Sequence, residues 1–222
     1  MRQPAKDAAK KRPVPTKRSP VVKEAKAPPA AHSGAEDDVR ITALALAPGK
    51  LSPEMAAYFK KCDEKLGFVP NVLKAFAFDD AKLQAFVDYR QELVQNAESL
   101  SKLEIEMIAT VVSAQNRCFY CITAHGNAVR QLGGPVLAEM MVMNYRAARL
   151  DKRQRAMLDF AVKLTTQPWE VEEEDRARLR RAGFNDRDIW DIASVAAFYN
   201  MTNRLASATD MRPNSVYHGQ AR

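Results

Sequence analysis

The chain of 222 residues has a formal net charge of +7, from 34 Lys and Arg against 27 Asp and Glu. Its length fits one domain with an extension, and it lacks the run of about 18 apolar residues that a membrane span requires. Three cysteines without an export signal argue against a framework of structural disulfides. We therefore expect a cytoplasmic protein without a membrane span.

The basic excess lies entirely at the N-terminus. Residues 1–34 carry nine Lys and Arg, two acidic residues and six of the twelve prolines, and no aromatic residue. Such a composition cannot bury enough apolar surface to fold, so residues 1–38 are predicted to be a disordered, basic tail rich in Pro, Ala and Lys. We interpret it as a solvated extension. An electrostatic tether to an anionic partner or an upstream start site stays open.

The rest of the chain has 25 basic and 25 acidic residues, so no excess charge favours nucleic acid binding by the body. Apolar residues recur there at helical spacing, and alternating strand patterns are scarce. Residues 39–212 are therefore predicted to form one all-α domain, followed by a flexible C-terminus at 213–222. The predicted helices are 53–66, 71–77, 80–97, 102–116, 119–132, 135–142, 152–166, 172–182 and 186–206.

Capping signals support these helix starts. Ser52 precedes a proline at the first helical position, and Ser101 with Glu104 is the pattern of a capping box. Asp151 and Asn185 precede two later helices in the same way.

The helix predicted at 102–116 has an unusual composition. From Met107 to Asn116 it has no charged residue, and apolar residues cover most of its circumference. Such a helix is expected to be buried nearly all round. Glu106 would enter the interior with it.

The next segment contains Cys118-x-x-Cys121, followed by His125. On a helix, Cys121 and His125 are neighbours at i,i+4, while Cys118 lies near the helix N-terminus, where unpaired N–H groups favour an anion. Lowering a thiol pKa from about 8.5 to about 7 requires about 2 kcal/mol of preferential thiolate stabilisation. A helix N-terminus supplies about 0.3–1 kcal/mol, and a histidine that accepts the proton could supply the rest.

Glu106 is positioned to complete a proton relay. If 102–116 and 119–132 form an antiparallel hairpin, residue 106 lies eleven positions before the turn at Arg117 and His125 lies eight after it. At about 1.5 Å rise per residue, their heights differ by only a few ångströms. The predicted order is Glu106 to His125 to Cys121, with Cys118 as the disulfide partner.

This spaced set of Glu106, Cys118, Cys121 and His125 resembles the signature of the AhpD-like alkylhydroperoxidases, members of the carboxymuconolactone decarboxylase-like superfamily. The resemblance implies an all-helical fold that forms a homo-oligomer (a dimer, trimer or hexamer). It also implies an antioxidant oxidoreductase that reduces hydroperoxides with a redox-active cysteine pair. In such proteins the four matching residues form the proton relay and the cycling pair, and the second cysteine, here Cys121, usually has the activated role.

Two further segments carry the resemblance, which extends over residues 50–208. Residues 66–71 (Leu-Gly-Phe-Val-Pro-Asn) are similar to the entry segment of the peroxidase-related members, and residues 196–204 are similar to their late helix. One position departs from the pattern, because Tyr120 stands where many members have a histidine before the second cysteine. That departure bears on the external thiol reductant, which could be a lipoyl-bearing or a thioredoxin-like protein.

The favoured function is a peroxidase or disulfide reductase that needs no cofactor and no metal. A non-catalytic redox sensor or interaction protein is the first alternative, and the cysteine pair with His125 and Glu106 could then bind zinc. A decarboxylase-like enzyme is the second alternative, although such members of the superfamily generally lack the cysteine pair. The third cysteine, Cys62, stands alone in an amphipathic helix and is expected to pack as a small hydrophobe.

Overall fold

The computed structural model describes residues 40–97 and 99–221, so the tail predicted at 1–38 lies outside the described residues. Within the described ranges the regular structure is helical and contains no strand, as predicted. The α-helices are α1 (Pro53–Leu66), α2 (Asn71–Phe76), α3 (Asp80–Gln95), α4 (Lys102–Gln115), α5 (Phe119–Gly133), α6 (Pro135–Asn144), α7 (Lys152–Thr166), α8 (Glu173–Arg181) and α9 (Asp186–Ala208). Short 3-10 helices cover Tyr145–Ala147, Pro168–Glu170 and Ser215–His218.

The helix starts follow the predicted capping residues. Ser52 accepts a hydrogen bond from the Met55 backbone N–H, and Ser101 forms the reciprocal capping box with Glu104. Asn185 forms a reciprocal box with Asp188 at the start of α9. Each such cap satisfies backbone N–H groups that the first helical turn leaves unpaired and is worth about 1 kcal/mol.

The central element is α4, which packs against α5, α6, α7 and α9. Its side chains are buried on nearly every face, as its composition predicted, and Met107 and Ile108 are both 0% exposed. Complete burial of one such side chain contributes about 1.5–3 kcal/mol relative to an exposed one. A helix held on all sides in this way provides a rigid base for any group attached to it.

The α4–α5 connection forms a tight hairpin. Arg117 has a left-handed backbone with a φ of 52°, which reverses the chain, and the Cys118 N–H then donates to the Ser113 carbonyl at 3.1 Å. Cys118 thereby becomes the N-cap residue of α5. The turn thus fixes the first cysteine at the start of the helix that carries the second.

The chain after α9 remains in contact with the helices. Asn214 accepts from the Asn71 backbone N–H at 2.8 Å and donates to the Val69 carbonyl at 3.1 Å. Gln220 accepts hydrogen bonds from Asn127 at 2.9 Å. The contacts of the helical domain therefore extend past the boundary at 212, while the predicted flexibility of 213–222 stays a prediction.

Across 40–97 and 99–221, no helix combines the length and apolar character that crossing a bilayer requires.

Candidate active site

The two cysteines of the pair lie at the first turn of α5. Both are free thiols, and Cys118 is 1% and Cys121 3% exposed. Their immediate neighbours include Ser207 and Asn203 from the end of α9, each of which hydrogen-bonds one of the two sulfurs. The pair is therefore enclosed between the start of one helix and the end of another.

The pair shares protons unequally. Hydrogen bonding from the Cys121 thiol, assisted by the Cys121 backbone N–H and Ser207, outweighs burial and lowers the pKa of Cys118 to about 7. The pKa of Cys121 is raised, first because its thiol is bonded to Cys118 and then because it is buried beside that charge. The first proton thus leaves the pair near neutrality and the second is retained, which is the behaviour of two coupled sites. This order differs from the expectation that Cys121 carries the thiolate.

Glu106 and His125 are in direct contact, as the hairpin geometry predicted. The Glu106 Oε2 lies 2.7 Å from the His125 Nδ1, with 13% and 16% of the two side chains exposed. Burial disfavours the carboxylate, but the charge and hydrogen bond of His125, with the charge of Arg90, lower the pKa of Glu106. An ionised carboxylate only accepts hydrogen bonds, so Nδ1 carries a proton and Nε2 is left for a second partner.

The remaining link of the predicted relay is less direct. The hydrogen bond of His125 is made with Glu106, and its ring packs edge-on against Tyr199 at a centroid distance of 4.5 Å. His125 acts on Cys118 through its charge, and it shares a cavity wall with Cys121.

Across 40–97 and 99–221, no group of three or more His, Cys, Asp or Glu side chains is arranged to hold a metal ion.

The cavity beside the pair has a volume of about 160 Å³. Its wall is mostly apolar and is built from α1, α2, α3, α5, α9 and the C-terminal segment. Cys121 lines it, whereas Cys118 does not. The wall residues with polar or reactive side chains are Tyr58, Cys62, Arg90, Tyr120, Cys121, His125, Tyr199, Thr202 and Tyr217.

Comparison with known proteins identifies the family. Residues 81–135 match the carboxymuconolactone decarboxylase family. A peroxidase-related protein from Silicibacter sp. TM1040 is 61% identical, with a TM-score of 0.79, and the match covers 82% of this chain and 96% of that one. A peroxidase-related protein from Ralstonia eutropha JMP134, an alkylhydroperoxidase AhpD core, is 37% identical with a TM-score of 0.77, over 82% and 97% of the two chains.

The chain belongs to the AhpD-like proteins of this family.

The fold is also found in a more distant protein. The debrominase Bmp8, in a complex with 2,3,4-tribromopyrrole, is 18% identical with a TM-score of 0.68, over 81% of this chain and 96% of that one. At that identity the likeness concerns the fold alone. No curated protein matches the chain.

Several wall residues of this AhpD-like protein were not predicted from the sequence. Arg90 enters the cavity from α3, and Tyr58, Tyr199 and Tyr217 reach it from α1, α9 and the C-terminal 3-10 helix. A signal for Arg90 is present, because it follows the buried Phe86 and Val87 by four and three positions and so shares their face of the helix. The three tyrosines lie on separate elements at positions 58, 199 and 217 and carry no such local signal.

Tyr120 and Cys62 also line the cavity. Tyr120 both packs and shapes the cavity, since it is buried and its hydroxyl accepts a hydrogen bond from the Val72 N–H at 2.9 Å. Cys62 lines the cavity as well, and burial raises the pKa of its thiol. A thiol with a raised pKa is a poor nucleophile at neutral pH, which agrees with the prediction that Cys62 has no catalytic role. The absence of such a role stays a prediction.

Proposed function

We propose that this AhpD-like protein is a dithiol-dependent hydroperoxide reductase in which Cys121 attacks the peroxide, Cys118 resolves the intermediate, and Glu106 and His125 move the protons. One observation carries the proposal: Cys121, whose partner Cys118 has a pKa lowered to about 7, lines the same cavity as a histidine held by a buried carboxylate.

The first step is formation of the thiolate. One thiol proton passes to His125, whose imidazolium is stabilised by the Glu106 carboxylate. The proton that remains lies in the hydrogen bond between the two sulfurs. Its transfer from Cys121 to Cys118 generates the thiolate on the sulfur that lines the cavity, without requiring the second proton to leave the pair.

The second step is reduction of the peroxide. The Cys121 thiolate attacks the outer oxygen, an S–O bond forms, and the O–O bond breaks. The departing alkoxide takes the proton from His125 and leaves as an alcohol, while Cys121 is oxidised to a sulfenic acid.

The third step closes the disulfide. His125 now accepts the proton of the Cys118 thiol, and the resulting thiolate attacks the sulfur of the sulfenic acid. The S–S bond forms as the S–O bond breaks, and the departing hydroxide takes the proton from His125 to form water. In total, two thiols supply two protons and two electrons, and the hydroperoxide becomes an alcohol and water.

An external dithiol completes the cycle by thiol–disulfide exchange, in which it is oxidised and both cysteines are reduced. A small disulfide could replace the peroxide as oxidant by the same exchange chemistry. A lipoyl group or a thioredoxin-like protein is the proposed reductant.

The protein is further proposed to be a homo-oligomer, as its family resemblance implies. Large apolar side chains at the surface support this proposal, since Met143 is 85% and Trp190 71% exposed. Sedimentation equilibrium of the full chain gives the oligomeric state.

The decisive experiment measures reduction of tert-butyl hydroperoxide with dithiothreitol as the reductant. Turnover is expected to disappear in Cys121→Ser. In Cys118→Ser the sulfenic acid forms on Cys121 but cannot be resolved internally, so dimedone should label Cys121 in that variant after one equivalent of peroxide. Retained turnover in Cys121→Ser, or dimedone labelling of Cys118 in Cys121→Ser, would reject the assigned roles.

A further inference from the structure

The strongest feature outside the reacting groups is Arg90, whose guanidinium enters the apolar cavity that Cys121 and His125 also line. It forms a hydrogen bond with Tyr199. The carboxylate that acts on it is Glu106, but the hydrogen bond of Glu106 is made with His125. A guanidinium has five N–H donors, so its bond to Tyr199 leaves donor capacity in the cavity.

Three tyrosines surround this charge. Tyr58, Tyr199 and Tyr217 all line the cavity and interact electrostatically with Arg90, although they come from three different elements. Burial raises the pKa of Tyr217 to about 12 and that of Tyr199 above its usual value. Both hydroxyls therefore stay protonated at neutral pH and can donate hydrogen bonds to an anion.

Such a group of donors matches the chemistry of a carboxylate. A guanidinium binds a carboxylate through two parallel N–H bonds, and neutral hydroxyls can satisfy the remaining lone pairs. The charge is also strengthened by its surroundings, because a low-dielectric apolar wall screens it less than water does.

From this arrangement we propose that Arg90 and its tyrosines form an anion-binding subsite, and that the substrate is a small hydroperoxide carrying a carboxylate. The substrate class rests on the proposed function, whereas anion binding by the cavity does not. The size of the cavity limits the rest of the molecule, since a cavity of about 150 Å³ holds one benzene ring. The hydroperoxide of a long-chain lipid exceeds that volume.

The first test measures anion preference without peroxide chemistry. In a Cys62→Ser background, the rates of alkylation by iodoacetate and by the neutral iodoacetamide are compared on the peptide of residues 118–130, by mass spectrometry. Because both reagents react with the same thiolate, the ratio of their two rates does not depend on the fraction of the thiol that is ionised. The ratio should fall by about tenfold in Arg90→Met, the loss of one charge-assisted contact of about 1.4 kcal/mol.

Two further variants make that test specific. Arg90→Lys keeps the charge, so its ratio of iodoacetate to iodoacetamide rates should lie between those of wild type and Arg90→Met. A ratio restored by lysine would show that the fall in Arg90→Met comes from the lost charge and not from misfolding. Arg176→Met removes an exposed arginine that pairs with Glu173 on α8, and it should leave the ratio unchanged. A ratio equal to wild type in Arg90→Met, or an equal fall in Arg176→Met, would overturn the proposal.

Competition by a bound carboxylate gives a second readout. Benzoate should slow alkylation by iodoacetamide in the wild-type chain but not in Arg90→Met. Benzamide has the same shape without the charge and should have no effect that depends on Arg90. Equal protection by benzoate in both proteins would show that it binds elsewhere and would contradict the subsite.

The substrate class is tested with a matched pair of peroxides, tert-butyl hydroperoxide and its carboxylated analogue 3-hydroperoxy-3-methylbutanoate. Wild-type kcat/KM should be about tenfold higher for the carboxylated peroxide, through a lower KM, and Arg90→Met should remove that difference. Equal kcat/KM for the two peroxides in wild type would reject the substrate class. If neither peroxide is reduced, the proposed function fails, while the alkylation and competition results still decide whether the anion subsite exists.

Discussion

The cavity has two walls of different origin. The reacting wall comes from one hairpin: Cys121 and His125 on α5 line the cavity, and Cys118 and Glu106 lie next to them without lining it. All four residues fall within twenty consecutive positions. The second wall, which we call the Arg90 wall, combines Arg90 with Tyr58, Tyr199 and Tyr217, which come from three different elements. The groups proposed to react are thus close together in the sequence, whereas the groups proposed to select the substrate meet only in the folded chain.

The largest expected effect comes from the reacting wall. His125→Ala removes the group that takes protons from the thiols and gives them to both leaving groups in the proposed cycle, and positioned acid–base catalysis is worth about 10²–10⁴ in rate. We expect kcat/KM for tert-butyl hydroperoxide to fall within that range, whereas Arg90→Met should leave this neutral peroxide within a few-fold of wild type. An equal loss in both variants would remove the distinction between the two walls.

A core substitution behind the reacting wall should act on stability. Ile108 is completely buried on α4, and its replacement by Ala leaves a cavity, so Ile108→Ala should lower the free energy of unfolding by about 2–5 kcal/mol. Urea denaturation followed by circular dichroism measures this loss. The exposed Leu132→Ala is the matched control and should change the unfolding free energy by less than about 0.5 kcal/mol. A loss in Ile108→Ala no larger than that of the control would contradict the central position of α4.

Neutralising the carboxylate of the relay should have a smaller effect than removing the imidazole. Glu106→Gln keeps the shape of the side chain but loses the charge that supports the His125 imidazolium. We expect kcat to fall by about tenfold, since one charge-assisted hydrogen bond contributes about 1.5 kcal/mol more than a neutral one. The pH–rate profile should change as well, and a profile identical to wild type would indicate a purely structural role.

The thiolate equilibrium should depend on the second cysteine. Alkylation of the wild-type pair should increase with pH around a midpoint near 7, because the environment of Cys118 lowers its pKa to about 7. Since the hydrogen bond from the Cys121 thiol is the largest cause that lowers this pKa, Cys121→Ala should raise the midpoint toward the ordinary value of a thiol. The midpoint is obtained from the rates of alkylation by iodoacetamide between pH 5 and about 10. A midpoint that stays near 7 in Cys121→Ala would show that the helix N-terminus, and not Cys121, lowers the pKa.

The smallest expected effect belongs to the third cysteine. Cys62 lines the cavity on the side of the Arg90 wall, and burial raises the pKa of its thiol. Cys62→Ser should therefore leave peroxide turnover within about twofold of wild type, because a protonated thiol contributes little nucleophilicity. A large loss would place this cysteine in the reaction.

The sequence was sufficient for most of the fold. Helical spacing and capping residues placed α1 to α9 within a few residues of their observed ends, because these signals act within one or two turns. The short 3-10 helices were not predicted. Pro168–Glu170 and Ser215–His218 are single turns, and a single turn has no period to detect.

By itself, the sequence determined the reacting wall, including the contact between Glu106 and His125, because a hairpin of two helices with a short turn sets the relative heights of its residues. Only the tertiary structure decided which sulfur faces the cavity, which sulfur loses its proton first, and that Arg90 lines the same cavity as Cys121. Those properties depend on burial and on charges brought together from α1, α3, α9 and the C-terminal segment. Electrostatic interactions act over distance in space, so they cannot be deduced from spacing along the chain.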